Sequence, residues 1–305
     1  MHDLIIIGAG PGGISAAIYA KRYNLDVLLI EKEMLFGGKV LYPHWIENFI
    51  GIPEGISGAE LSDRLQKHAI SFQVPFKHAQ IVALEYSNNS FQVMLSNQET
   101  IKSKTVLLAN GTTERLLNIP GEKEYKGKGV SYCATCDAPF FKNKTLAVIG
   151  GGDSALAEIL YLTEFASRIH LIHRRKEFRG SEHLVNKLNQ HPSLQQWLGY
   201  TAKEIHGNND QIQSIFVENT QSNKTESIPV DGLFIFAGYE PDTSFLKLSV
   251  PKDEKGYILT NEEMETTVPG LYAAGDIRSK SFRQIITALS DGATAAHAIR
   301  NKLKS

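Results

Sequence analysis

The only two cysteines of the chain stand as Cys133-x-x-Cys136 within Ser131-Tyr132-Cys133-Ala134-Thr135-Cys136-Asp137. A bridge between them would close a loop of four residues, which on the loop-entropy expression stabilises a fold by about 2 kcal/mol at best. That is poor scaffolding. Cycling suits the spacing better, with one thiolate attacking and its neighbour resolving the mixed disulfide. Asp137, directly beside Cys136, is placed to supply or take the proton that each cycle requires. Half of a metal site and two ordinary buried thiols are the competing readings. No His or further Cys stands close by in sequence to complete a four-ligand zinc set, so no metal is expected.

A second chemistry is written in glycine. Gly8-Ala9-Gly10-Pro11-Gly12-Gly13 is G-x-G-x-x-G between an aliphatic run, Leu4 to Ile7, and apolar residues at helical spacing, Ile14, Ala17 and Ile18. In that setting the glycines let backbone amides approach a pyrophosphate at a helix N-terminus. A following strand, Val27 to Ile30, ends in Glu31, 23 residues beyond Gly8, where a carboxylate accepts hydrogen bonds from an adenosine ribose. The pattern recurs 142 residues later: Thr145 to Ile149, then Gly150-Gly151-Gly152-Asp153-Ser154-Ala155, then an amphipathic stretch from Ala155 to Phe165. Ile169 to Ile172 matches the second strand, but the position 23 beyond Gly150 is His173, followed by Arg174, Arg175 and Arg179. Guanidinium forks in place of a carboxylate favour a ribose 2′-phosphate, present in NADP and absent from NAD. A solvated basic face is the plain alternative.

These features need elements to carry them. A length of 305 residues predicts about two domains. Lys and Arg total 32 against 33 Asp and Glu, so nothing favours a nucleic-acid partner. Residues 4–20 form the one long uncharged run, but its glycines would break a spanning helix and Asp3 precedes it where a signal peptide is basic. A soluble cytoplasmic protein, with no membrane contact, is the expectation. Val106 to Ala109 runs into Asn110-Gly111 and Asp231 to Ala237 into Gly238, each a strand leading to a turn where the chain can pass between domains. Ser87 to Ser90 and Asn219 to Glu226 read as hairpin tips. Gly270 to Ala274 is a last short strand, with Gly275-Asp276 at its carboxyl end. Asp276 there accepts hydrogen bonds from a polyhydroxyl chain such as ribityl, or caps the final helix, Ile285 to Leu303.

Taken together the chain resembles the low-molecular-weight bacterial thioredoxin reductases. The motifs run in order over nearly the whole length: GAGPGG, Gly37-Gly38, Glu47-Asn48-Phe49, Ile119-Pro120-Gly121-Glu122, SYCATCD, IGGGDSA, HRRKEFR, AAGD and Arg283-Gln284. The resemblance implies an α/β fold of two Rossmann-like dinucleotide-binding domains, the NADPH domain (113–240) inserted into a FAD domain built from 1–112 and 241–305. It implies FAD held by Gly8, Gly10, Pro11, Gly13, the stretch from Glu31 through Gly37, Gly38 and Lys39, Asn48, Gly275, Asp276, Arg283 and Gln284. NADPH would be held by Gly151, Gly152, Asp153, Ser154, His173, Arg174, Arg175 and Arg179. It further implies a homodimer, Cys136 next to the flavin, Cys133 attacking a thioredoxin disulfide, Asp137 as proton donor, and domain rotation about connections near Gly111 to Ile119 and Gly238 to Pro241.

Two stretches depart from the family. Lys39-Val40-Leu41-Tyr42-Pro43-His44-Trp45 follows Gly37-Gly38 where relatives commonly have Gln and a Thr-rich run, and Ala138-Pro139 follows Asp137 where they often have Gly. A cation at Lys39 would raise the flavin potential by favouring the anionic reduced form; an unchanged midpoint potential in Lys39→Gln would refute this. Ala138-Pro139 stiffens the loop behind Asp137. The rival readings are a flavoprotein of the same fold with a different donor, such as ferredoxin, or a different dithiol acceptor, and a catalytically silent nucleotide-binding protein.

Overall fold

The computed structural model describes residues 1–43 and 45–304; His44 and the side chain of Ser154 lie outside the described residues. In chain order the elements begin with β1 (His2–Ile7), α1 (Pro11–Arg22), β2 (Val27–Glu31), α2 (Gly58–Ser71), β3 (Phe76–His78), β4 (Ile81–Ser87), β5 (Ser90–Leu95), β6 (Thr100–Leu108) and β7 (Thr112–Glu114). Then come β8 (Val130–Ser131), α3 (Ala134–Asp137), β9 (Thr145–Ile149), α4 (Asp153–Leu162), β10 (Arg168–His173), α5 (Glu182–Asn189), β11 (Leu194–Leu198), β12 (Tyr200–Gly207), β13 (Ile212–Asn219), β14 (Thr225–Pro229) and β15 (Gly232–Ile235). β16 (Tyr239–Pro241), β17 (Leu271–Ala273) and α6 (Ile285–Lys304) close the chain. None of the described helices is long and apolar enough to cross a membrane.

The chain divides into two compact units, Met1–Thr113 with Glu240–Ser305, and Glu114–Tyr239. In the first, β3-β2-β1-β6 is a parallel sheet extended by the antiparallel pairs β6-β5 and β5-β4, and β17 adds parallel to β6. Both faces are covered, which is why β1 is aliphatic without alternation. Leu4 and Ile6 pack toward Ala16, Ala17 and Ile299 of α1 and α6, while Ile5 and Ile7 pack toward Leu84, Phe91 and Ile258. Ile7 pairs with both Ile30 and Leu108, so β1, β2 and β6 end level and open their following loops at one sheet edge.

The second unit repeats the arrangement with less decoration. Its parallel sheet runs β11-β10-β9-β15-β8, and a separate antiparallel sheet is β12-β13-β14. Leu146 and Val148 of β9 pack against Leu156, Ile159 and Leu162 of α4, whereas Ala147 lies on the opposite face with Ile215 and Val217. The two crossings between units, β7 and β16, pair with each other as a ribbon. Asp276 lies in a single 3₁₀ turn, Gly275–Ile277, nine residues ahead of α6 at Ile285, so the capping alternative for its carboxylate is corrected: it cannot cap that helix.

Candidate active site

In the first unit the turn after β1 is set by steric exclusion. Gly8 has φ +104°, and a Cβ there would stand 2.6 Å from the Ala109 carbonyl oxygen. A Cβ on Gly13 would collide with the Gly8 carbonyl. Pro11 occupies the first turn of α1, Gly10 is its N-cap, no side chain caps the helix, and no acid lies in that turn. The amides at this helix start are therefore left to an anion from outside the chain. Glu31 stands at the end of β2 with one carboxylate oxygen accepting from the Ala9 amide at 2.6 Å and the other from the Lys32 and Glu33 amides at 2.8 and 3.0 Å.

Gly37 (φ +113°) donates its amide to the Ala9 carbonyl at 2.8 Å, laying the Gly37-Gly38 turn beside the glycine loop. Lys39 follows, and its ammonium bonds Asp276 Oδ2 at 2.9 Å and Thr112 Oγ1 at 2.7 Å. Thus the loops after Gly38, β6 and β17 converge on one charged knot. Asn48 Nδ2 donates to Gln284 Oε1 at 3.3 Å, and the Arg283 guanidinium stacks 3.8 Å from the centre of the Tyr257 ring while bonding the Arg278 carbonyl at 3.1 Å. Asp291 of α6 was not anticipated from the sequence. Buried, it accepts from the Gly275 amide at 3.0 Å and from Arg278 and Lys280 at 3.0 and 2.9 Å, and so fixes the turn that presents Asp276.

In the second unit Gly152 is the N-cap of α4, again without a side-chain cap. Asp153 accepts from the Ser181 amide at 2.7 Å, and the Arg179 amide donates to the Gly151 carbonyl at 2.8 Å, which folds the basic loop back over the glycine turn. Arg174, Arg175 and Arg179 are exposed. A cavity of 280 Å³ is lined by Arg175, Lys176, Glu177, Phe178 and Arg179. His173 differs from the arginines expected beside it. It is buried, its ring occupies the space a side chain at Gly151 would need, and Nε2 faces the Glu177 carbonyl at 3.2 Å. Burial pushes its pKa below the ordinary histidine value, so it is a neutral spacer under the turn.

Cys133 and Cys136 form a disulfide. Cys133 is half-buried at the N-cap of α3, where its sulfur accepts from the Cys136 amide at 3.2 Å; Cys136 is exposed. Ser131 brackets Cys133, its hydroxyl accepting the Cys133 amide at 3.1 Å and donating to the Cys133 carbonyl at 3.2 Å. Asp137, partly exposed, ends the helix and donates its amide to the Cys133 carbonyl at 3.3 Å. Sequence reasoning also passed over Glu158 of α4. Its carboxyl takes a backbone hydrogen bond from Ala134, the first residue of α3, and burial pushes its pKa up to about 7. The signal was available: Glu158 sits three residues after Ala155 and four before Leu162, along the apolar stripe of α4.

Comparison with known proteins accords with this geometry. The profile of the pyridine nucleotide-disulphide oxidoreductases matches residues 2–292. A thioredoxin reductase of Mycoplasma pneumoniae is 41% identical over 304 residues, covering 99% of this chain and 96% of its own length. That of Bacillus subtilis is 39% identical over 302 residues, covering 99% and 94%. Among solved structures, thioredoxin reductase from Lactococcus lactis superposes with a TM-score of 0.93 at 35% identity, covering 99% of this chain and 98% of that one. With two glycine turns at helix starts and a Cys133–Cys136 disulfide, the chain belongs to the pyridine nucleotide-disulphide oxidoreductase family, as an oxidoreductase that works with FAD and NADPH.

Proposed function

We propose that the chain is a thioredoxin-disulfide reductase in which each unit holds one nucleotide, residues 1–112 with 241–305 taking FAD and 113–240 taking NADPH. FAD, when bound, would accept hydride from NADPH and pass the electron pair on to a disulfide. The residues present fit both groups: two helix starts, at Gly10 and Gly152, lack side-chain caps, and an added Cβ at Gly152 would meet nothing within 4 Å. The supporting observation is the closed Cys133–Cys136 pair in the unit that carries the arginine-lined turn.

Gly8, Gly10, Pro11 and Gly13 bind the FAD pyrophosphate, and Glu31 the adenosine ribose. Gly37, Gly38, Lys39, Asn48, Gly275, Asp276, Arg283 and Gln284 complete that site. Gly151, Gly152, Asp153 and Ser154 receive the NADPH pyrophosphate; Arg174, Arg175 and Arg179 hold its 2′-phosphate, with His173 supporting the turn. Once the disulfide is reduced, Cys133 is the nucleophile, because the Cys136 amide that already faces its sulfur stabilises the thiolate. Its attack on the thioredoxin disulfide releases one thioredoxin thiolate, which Asp137 protonates. Cys136 then attacks the Cys133 sulfur, frees the second thiolate and restores the Cys133–Cys136 bond. The sum is NADPH, one proton and one protein disulfide giving NADP⁺ and a dithiol.

The enzyme works as a homodimer in the cytoplasm. Purified holoenzyme should oxidise NADPH in a thioredoxin-dependent way and lose that turnover in Cys136→Ser; wild-type enzyme that consumes no NADPH with thioredoxin present would overturn the reading.

A further inference from the structure

The Ile119-Pro120-Gly121-Glu122 motif has no part in the chemistry above, yet it ends in a buried charge. Glu122 is 1% exposed, and its carboxylate is met by three neutral donors: the Leu117 amide at 2.9 Å, the Asn118 amide at 2.6 Å and the Tyr132 hydroxyl at 2.7 Å. A carboxylate so enclosed is retained only where each donor stays in place. Tyr132 is the residue before Cys133. Burial first, and then the bond to Glu122, push the Tyr132 phenol well above its ordinary range, so it stays a donor, and the Lys126 ammonium lies 5.3 Å from the centre of its ring.

We infer that Glu122 is a positioning residue for the redox pair, acting through Tyr132. It rests on the reading of Cys133 and Cys136 as a cycling couple. Three fastenings hold the chain into Cys133 without help from the disulfide: the pairing of Val130 and Ser131 with Leu233 and Phe234, the Ser131 bracket, and the Tyr132–Glu122 bond, which ties the segment to Leu117 and Asn118. The first acts at residues 130 and 131 and the second on the Cys133 backbone; the Tyr132–Glu122 bond holds the residue between them. When the S–S bond takes up two electrons and two protons, the ring opens. Cys133 keeps its place only as far as these fastenings allow. Holding one thiol still raises the effective concentration of the pair toward each other, which favours the disulfide.

Loosening this anchor therefore makes the couple easier to reduce and slower to close. Holoenzyme of wild type, Tyr132→Phe and Glu122→Gln would be equilibrated in glutathione redox buffers and the Cys133/Cys136 state read by thiol alkylation and mass spectrometry. Tyr132→Phe, which removes one oxygen, is expected to lower the effective concentration of the pair three- to tenfold, a midpoint about 14 to 30 mV more positive at 29.6 mV per decade. Glu122→Gln turns an amide N–H₂ or a single oxygen toward three donors and is expected to shift it further. A folded Tyr132→Phe whose couple is unchanged overturns the inference, since a role in stability alone would move the melting temperature and leave the couple where it was. Should Glu122→Gln fail to fold, Tyr132→Phe carries the measurement. Glutathione equilibration is independent of NADPH and thioredoxin, so failure of the proposed function would show separately, as a wild-type disulfide that NADPH does not reduce.

Discussion

The turns after β1 and β9 share a plan and differ in the residues that set their packing and their charge. At the third glycine of the motif the first turn has Gly13, where a side chain would strike the Gly8 carbonyl, and the second has Ala155. Gly8 holds a positive φ that Gly150 does not. At the end of the second strand stands Glu31 in one case and His173 with three exposed arginines beyond it in the other. Along the following helix, the first has buried Ala16 where the second, 142 residues later, has Glu158. One backbone solution thus differs in closeness of packing by the size of one residue and in the charge carried at a strand end.

The sharpest way to break the comparison is to exchange the tight position. Gly13→Ala is expected to cost about 4 kcal/mol, because the clash is with backbone and outweighs the helix preference for Ala, while Ala155→Gly should cost only about 1 kcal/mol. Denaturant unfolding of both would show it, and equal losses would refute the claim that the first turn is the tighter. Exchanging charge comes next. Arg174→Glu with Arg175→Glu should lower kcat/KM for NADPH about 100-fold, near 3 kcal/mol, and leave NADH little changed; steady-state kinetics with both nucleotides decide. Glu31→Gln replaces one of the two oxygens that accept from three backbone amides and, if Glu31 holds the adenosine ribose as proposed, should weaken FAD binding about 30-fold, or 2 kcal/mol, in apoprotein titrations.

The smallest effect concerns the helices. Burial raises the Glu158 pKa from 4.5 to about 7, so the folded chain binds the extra proton more tightly than the unfolded one. The contribution is fully favourable below pH 4.5 and is lost as pH rises to about 7. Glu158→Gln should therefore stabilise the protein by about 1 kcal/mol above pH 7, allowing for partial exposure, with no gain near pH 4. Thermal unfolding across that range measures it; Ala16, with no charge to bury, predicts no such window for α1.

The parts of this molecule that a strict local pattern dictates were readable from sequence. Both glycine turns, their strands and the acid-for-arginine exchange follow from spacing within about 30 residues, and the hairpin tips Ser87 to Ser90 and Asn219 to Glu226 do join β4 to β5 and β13 to β14. What escaped depends on contacts across long separations. Lys39 meets Asp276 over 237 residues, and Asp291 gathers Arg278, Lys280 and the Gly275 amide by a fold that no periodicity announces. Lys39 was expected as a bare cation beside the flavin. Its pairing with Asp276 leaves the knot close to neutral, so its first effect falls on the placement of Asp276. Glu122 was legible as a motif and opaque as a role, because its partner Tyr132 lies ten residues on, beyond turns at Gly127 and Gly129 with φ +77° and +113°.

The central claim is that electrons from a nucleotide selected at the arginine-lined turn end on the cysteine pair. Anaerobic addition of NADPH to the flavin-loaded protein, followed by thiol counting, addresses it most directly. The expected result is loss of flavin absorbance and two new thiols per chain with NADPH, and neither with NADH at the same concentration. Thiols that fail to appear as the flavin bleaches, or an equal response to NADH, would contradict the account.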